Sequence, residues 1–224
     1  MKIDFVSDVS CPWCAIGLHA REQALDKVAP DITATLHFQP YELSPTMAPE
    51  GQDITEHLSQ KYGIGPAQIA ANAEAIRQRG AALGFEFGIG KRSRTYNTFD
   101  AHRLLHWAGL QGPAAQAALK HALLKAYFTD GQNPGSAPVL LQAAKAAGLD
   151  EDSARSVLQS DAHADDVRRA EAFYQQQGIH SVPAIIINDR HLISGGQPVE
   201  VFEQALRQIA AETAAEAAAE TTVA

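Results

Sequence analysis

Two short stretches with strand character stand at opposite ends of this chain, and nearly everything between them has helical spacing. KIDFVSD (2–8) and DITATLHFQPYEL (31–43) are β-branched and partly alternating, which predicts strands. Between them, 11–28 spaces Ile16, Leu18, Leu25 and Val28 as a helix does, with Pro12 suited to its first turn. From about 53 to 178 the pattern is almost wholly helical, punctuated by Gly84, Gly109, Gly148 and Gly178. After Gly178, VPAIIINDRHLIS (182–194) predicts two apolar strands joined at Asn188-Asp189, a two-residue hairpin turn. GGQPVEVFEQALRQIA then restarts as a helix, and the Ala/Glu-rich tail is expected to continue it and fray.

The predicted order is β-α-β, a helical block, then α-β-β-α. Without the block, this is the element order of a thioredoxin fold. An α/β thioredoxin fold carrying a large all-helical insertion is therefore expected. Its boundaries fall at 1–50 and 179–215 for the discontinuous thioredoxin part, 51–178 for the insert and 211–224 for the tail.

With 46% hydrophobic residues, 224 residues can bury a substantial core without help from disulfides or metals. Acidic residues outnumber basic ones 26 to 18, a balance that argues against a nucleic-acid partner. No run approaches the ~20 apolar residues of a membrane span. MKIDFVSDVSCPWC lacks an apolar signal core, so a cytoplasmic protein is expected. Cytoplasmic thiols are held reduced, and the disulfides found there are mostly catalytic or transient.

Against that background the only two cysteines, Cys11 and Cys14, draw attention. At three-residue spacing on a helix, both sulfurs share one face within disulfide reach. At the helix N-terminus Cys11 meets unpaired N–H groups and the positive end of the macrodipole, which favour thiolate. Thiolate is the form that attacks disulfides, so Cys11 is expected as nucleophile and Cys14 as the resolving thiol. No further cysteine exists to complete a zinc site. His102 and His106 are four apart on a predicted helix, but no third ligand lies near them in sequence, and no metal is expected.

SVPAIII supplies a second feature. A proline opening this strand reads either as a trans residue at an edge or as a cis residue facing the cysteines. In the second case Val182 offers backbone N–H and C=O groups to an extended substrate. Trp13 reads equally as packing or as an apolar surface for substrate. Asn97 reads as a helix cap or a substrate ligand, His37 as a packed histidine or a tuner of Cys11, and Asp8 as a cap or a base. Lys91, Arg92 and Arg94 read as a solvated loop or an anion-facing cluster.

DVSCPWCAIG, FQPYELSP (38–45), YNTFDAHRLLHWAG (96–109), KAYFTDGQNP (125–134) and GIHSVPAIIINDRHLISGGQP (178–198) together resemble the DsbA family of thioredoxin-fold oxidoreductases, in particular its cytoplasmic FrnE-like branch. The resemblance covers nearly the whole chain. It implies dithiol–disulfide exchange with protein or small-molecule disulfides, with Cys11 attacking, Cys14 resolving and Pro183 in cis. It also implies inserted helices lying over the site. Pro12, Trp13, Val182, Asn97, Gly196 and Gln197 are expected to form the substrate surface. No cofactor is required, glutathione is a candidate co-substrate, and a homodimer is compatible. A sister group, the glutathione-dependent 2-hydroxychromene-2-carboxylate isomerases and kappa-class transferases, resembles the same NTxxAHRL and Val-Pro segments. That group generally has serine where this chain has Cys11, and its charged glutathione-binding segment corresponds here to Gly195-Gly196-Gln197. An isomerase or transferase is therefore the alternative activity.

Overall fold

β1 (Lys2–Ser7) is buried on both faces, which explains why its alternation is incomplete: Ile3, Asp4, Phe5, Val6 and Ser7 are all inaccessible. It leads through a short turn into α1 (Pro12–Val28), whose first turn follows Cys11 in extended conformation. β2 (Thr35–Pro40) then returns parallel to β1, with Phe38 opposite Phe5. The structure, a computed structural model, describes residues 1–223, with side chains through 219.

A helix-rich stretch follows. β3 (Gln52–Asp53) leads into α2 (Ile54–Tyr62), capped by the Asp53 carboxylate on the Thr55 and Glu56 N–H groups. α3 (Pro66–Ala82) precedes β4 (Arg94–Thr95), which pairs antiparallel with β3. Next come α4 (Phe99–Gln111) and α5 (Pro113–Leu124), the latter running into a single π-helical turn at Lys125–Thr129. α6 (Ala137–Ala146), α7 (Glu151–Leu158) and α8 (Ala164–Gln176) complete this part. The β3–β4 ladder and the π turn have no counterpart in the sequence reading, since two-residue strands leave no periodicity to detect.

The chain then re-enters the sheet. β5 (Ala184–Ile187) pairs antiparallel with β1, and β6 (His191–Ser194) pairs with β5. Asn188 and Asp189 both have positive φ in a tight turn closed by the Arg190 N–H on the Ile187 carbonyl. Ile187 pairs with His191, however, so the hairpin loop is three residues (188–190) and not the expected two. α9 (Val199–Val223) packs beside α1, and the sheet order is β2-β1-β5-β6. The fold is the expected α/β thioredoxin type with helical insertion.

Two cores meet at the start of α1. Ile3, Phe5, Leu18, Ile185, Phe202 and Leu206 fill the space between sheet, α1 and α9. Leu104, Leu105, Leu119, Leu123 and Leu140 form a second core among the inserted helices, and Val9 belongs to it. Gln116 of α5 joins the two parts at the outer strand. Its amide accepts from the Phe38 N–H at 2.9 Å and donates to the Phe38 carbonyl at 3.0 Å, occupying the free edge of β2.

Candidate active site

Cys11 is the N-cap of α1, with φ −93° and ψ 114° and no side-chain capping bond of its own. The sulfur thus sits at the N-terminal, positive end of the helix macrodipole. Its carbonyl accepts from the N–H groups of Cys14 and Ala15 at 3.1 and 3.3 Å. Both cysteines are free thiols, they approach to 3.3 Å, and Cys11 is 3% exposed while Cys14 is fully buried. Opposite them, the Val182–Pro183 peptide bond is cis, and the Cys11 thiol lies 3.7 Å from the Val182 carbonyl. A second cis bond, Ala29–Pro30, ends α1 away from this site.

Three buried polar groups lie behind the pair. The Asp8 carboxylate accepts from the Leu43 N–H at 2.7 Å, the Ser10 hydroxyl at 3.0 Å and the Ser10 N–H at 3.2 Å. His102 Nε2 stands 3.5 Å from Asp8 Oδ1, a charge contact longer than a good hydrogen bond. Burial alone pushes the Asp8 carboxyl up, but His102 and the donated hydrogen bonds outweigh it and hold the group at about 2. Lys120, on α5, is buried, and its Nζ has no hydrogen-bond partner among the described residues. The ammonium sits 5.6 Å from the centre of the Phe38 ring. Burial pushes the Lys120 amine down, and the cysteines and Asp8 partly restore it.

Burial likewise pushes the Cys14 thiol well up, and hydrogen bonding and charge at Cys11 push it further. Lys120 acts in the opposite sense, favouring the Cys14 thiolate. The two sulfurs thus occupy unequal environments: Cys11 at the surface end of the helix, Cys14 beneath it and stabilised as a thiol.

The rim is built from both parts of the fold. The Trp13 ring is partly exposed, and the Arg79 guanidinium of α3 lies 5.2 Å over it. Tyr62, at the end of α2, is exposed, and its hydroxyl is pushed up by partial burial and then by charge on Cys11. On the other side Gly196 closes against α1. A Cβ at Gly196 would lie 2.9 Å from the Trp13 carbonyl oxygen, and one at Gly17 would lie 3.2 Å from Pro183 Cγ. Small residues at both positions let the segment after β6 and the Val-Pro loop approach the cysteine helix.

Cys11, Cys14, Pro12, Trp13, Val182, Pro183 and Gly196 therefore converge. Gln197 turns its amide to the Ser194 carbonyl at 2.7 Å. Asn97 is occupied with the fold: it donates to Glu42 and to the Pro45 carbonyl and accepts from the Phe99 N–H, while Thr98 is the N-cap of α4. His102 and His106 part company, His102 facing Asp8 and His106 facing Asp166. In the basic loop, Arg92 stacks over Tyr127 and Phe128, and Arg94 donates to the carbonyls of Glu50 and Gly51. Lys120, Tyr62 and Arg79 were not singled out by the sequence. Their relation to the cysteines is entirely long-range, and no local motif announces it.

Residues 2–207 match the DSBA-like thioredoxin domain. A probable DsbA oxidoreductase from Streptomyces coelicolor is 33% identical, with a TM-score of 0.86 over 93% of this chain and 89% of its own. The uncharacterized protein YwbO of Bacillus subtilis (strain 168) is 26% identical over 92% of this chain and 96% of its own length. A 2-hydroxychromene-2-carboxylate isomerase shares the fold at 16% identity, with a TM-score of 0.67 over 96% of this chain and 98% of its own. With a reduced cysteine pair at the head of α1 and a family match spanning both ends of the sheet, this chain belongs to the DSBA-like thioredoxin domain family.

Proposed function

We propose that this protein is a thiol–disulfide oxidoreductase that exchanges its Cys11–Cys14 pair with protein or small-molecule disulfides. The observation that carries the reading is the contact of two free thiols at the head of α1, with the Cys11 sulfur facing the Val182 carbonyl. In the reducing direction the Cys11 thiolate attacks a substrate disulfide. A Cys11–substrate disulfide forms and one substrate thiolate leaves. Cys14 then gives up its proton to the substrate thiolate released first and attacks the Cys11 sulfur, closing Cys11–Cys14 and releasing the second substrate thiolate, which takes a proton from solvent. Two electrons pass to the substrate, and the reverse sequence oxidises a dithiol.

The electrostatics suit this order of events. While Cys11 carries charge, Cys14 is held as a thiol by burial and by that charge. Once Cys11 is in a mixed disulfide its charge is gone, and the Lys120 ammonium remains to favour the Cys14 thiolate. An extended substrate would pair with the backbone of Val182, with Trp13 and Gly196 flanking it. Glutathione, itself an extended thiol peptide, fits the same role as co-substrate. The glutathione-dependent isomerase reading is less favoured, because it leaves the Cys11–Cys14 contact without a task.

The reading includes action in the cytoplasm; no helix among the described residues is long and apolar enough to cross a membrane. The deciding experiment is turbidimetric insulin reduction with dithiothreitol. Wild type accelerates precipitation and Cys11→Ser does not. Equal rates for the two, or an inert wild type, would sink the proposal. Chromene isomerisation surviving in Cys11→Ser would put the alternative in its place.

A further inference from the structure

A second cluster of reactive side chains lies further along α1. His19 and Glu22 stand three apart and so face the same way one helical turn apart. His121 reaches them from α5, with His121 Nε2 2.8 Å from Glu22 Oε1 and the two imidazole rings 5.2 Å apart, nearly perpendicular. One ligand atom from each of the three lies within 4.8 Å of the other two. Donor atoms around a tetrahedral zinc are separated by about 3.3 Å, given metal–nitrogen and metal–oxygen bonds near 2.0–2.1 Å. The carboxylate–imidazole pair is already inside that span. His19 completes the group within the 4.8 Å limit.

The orientation of His19 is what distinguishes this cluster from a chance meeting. Its Nδ1 lies 2.9 Å from the Ala15 carbonyl oxygen, which can only accept, so Nδ1 carries the hydrogen and Nε2 keeps its lone pair. A backbone carbonyl fixing one ring nitrogen while the other ligates is the usual second contact of a metal-bound histidine. The ring is further held by Phe85, 4.8 Å away between centroids. All three side chains are half-buried, so a fourth position is left to water. The neighbouring cation is Arg21, whose guanidinium is 3.5 Å from Glu22 Oε1. In a comparable group, His106, His163 and Asp166, the carboxylate is likewise held by a guanidinium and an imidazole, but neither ring is fixed by a backbone carbonyl of the described residues as His19 is.

We propose that His19, Glu22 and His121 bind a divalent transition-metal ion of the zinc class, joining the cysteine-bearing helix to α5 of the inserted helices. His121 ligates through Nε2 once the hydrogen shared with Glu22 moves to Nδ1. Two neutral imidazoles, one carboxylate and one water make a donor set suited to Zn2+ and to its spectroscopic substitute Co2+.

The test uses the full chain as Cys11→Ser/Cys14→Ser, which removes the competing thiols and makes the outcome independent of the redox proposal. Calorimetric titration with Zn2+ is expected to show one ion per chain, and Co2+ to give visible d–d bands of a four-coordinate nitrogen–oxygen site. Adding His121→Gln or His19→Gln should weaken binding by about 100-fold or more, at least the upper end of what loss of an outer-shell partner costs. The second variant stands in if circular dichroism shows the first unfolded. His163→Ala should leave binding unchanged. Absence of Zn2+ heat and Co2+ bands, binding unaffected by both glutamine variants, or binding lost in His163→Ala would each overturn the proposal.

Discussion

The Cys11 sulfur sits 3.7 Å from the carbonyl oxygen of Val182, a residue 171 positions further along the chain. One wall of the site is thus a helix start, and the other is backbone brought in by the last part of the sheet. A substrate disulfide approaching Cys11 must enter between them. Cys14 is shielded from it.

That asymmetry separates the two cysteine variants. Cys14→Ser should accumulate a mixed disulfide on Cys11 when mixed with oxidised glutathione or insulin, because the buried resolving thiol is missing. Cys11→Ser should accumulate none, its remaining thiol being inaccessible. Non-reducing intact-mass analysis reads both. Equal adducts on the two variants would contradict the assigned roles.

Lys120→Met tests the buried ammonium. The substitution keeps the length of the side chain and removes an unpartnered charge, so thermal stability should hold or rise. The Cys14 thiolate loses its nearby cation, and release of substrate from the mixed disulfide should slow by about threefold for each unit its pKa rises, the lost thiolate being partly offset by greater nucleophilicity. Stopped-flow measurement of that second step at fixed pH is the readout. A variant that resolves at the wild-type rate would remove Lys120 from the mechanism.

Asp8 predicts a specific loss of stability in acid. Its folded-state pKa of about 2 lies below the ordinary 3.8, so ionised Asp8 stabilises the fold at neutral pH. The difference corresponds to about 2 kcal/mol. This contribution is fully present above pH ~4 and fades as pH falls from ~4 toward ~2. Urea denaturation of wild type and Asp8→Asn across that range should show a stability gap that narrows toward the acid end. A gap independent of pH would show that the amide merely disturbs packing.

Gly196→Ala probes the closure of the rim. The added Cβ meets a backbone oxygen, that of Trp13, at 2.9 Å, so either α1 or the segment after β6 must shift. A loss of about 1–3 kcal/mol in urea denaturation is expected, with insulin reduction falling alongside it. Wild-type stability and activity together would mean that the approach is looser than described.

Much of this arrangement was readable from the sequence, for local reasons. CPWC after a strand, VP before one, and an Asn-Asp pair between two apolar runs are short patterns whose geometry is fixed within a few residues. The register of β2 against β1 follows because a one-residue shift of β2 would turn Leu36 and Phe38 toward its more exposed face. Lys120 was illegible because a lysine on an amphipathic helix reads as solvent-facing. Only the packing of α5 against β2, anchored by Gln116 on Phe38, buries it. Asn97, read as a helix cap or a substrate ligand, accepts from the Phe99 N–H at the start of α4 and also ties that end to Glu42 and Pro45, contacts that no local pattern announces.

The position of β1 inside the sheet has a consequence for synthesis of the chain. β1 lies between β2, complete by residue 40, and β5, which begins at residue 184. At ribosomal rates of about 5–20 residues per second, the cysteines precede their opposing wall by roughly 10–30 s. Throughout that interval the nascent chain carries a dithiol with no Val182 across from it and an unpaired edge on its central strand. The reactive pair leaves the ribosome well before the segment that encloses it.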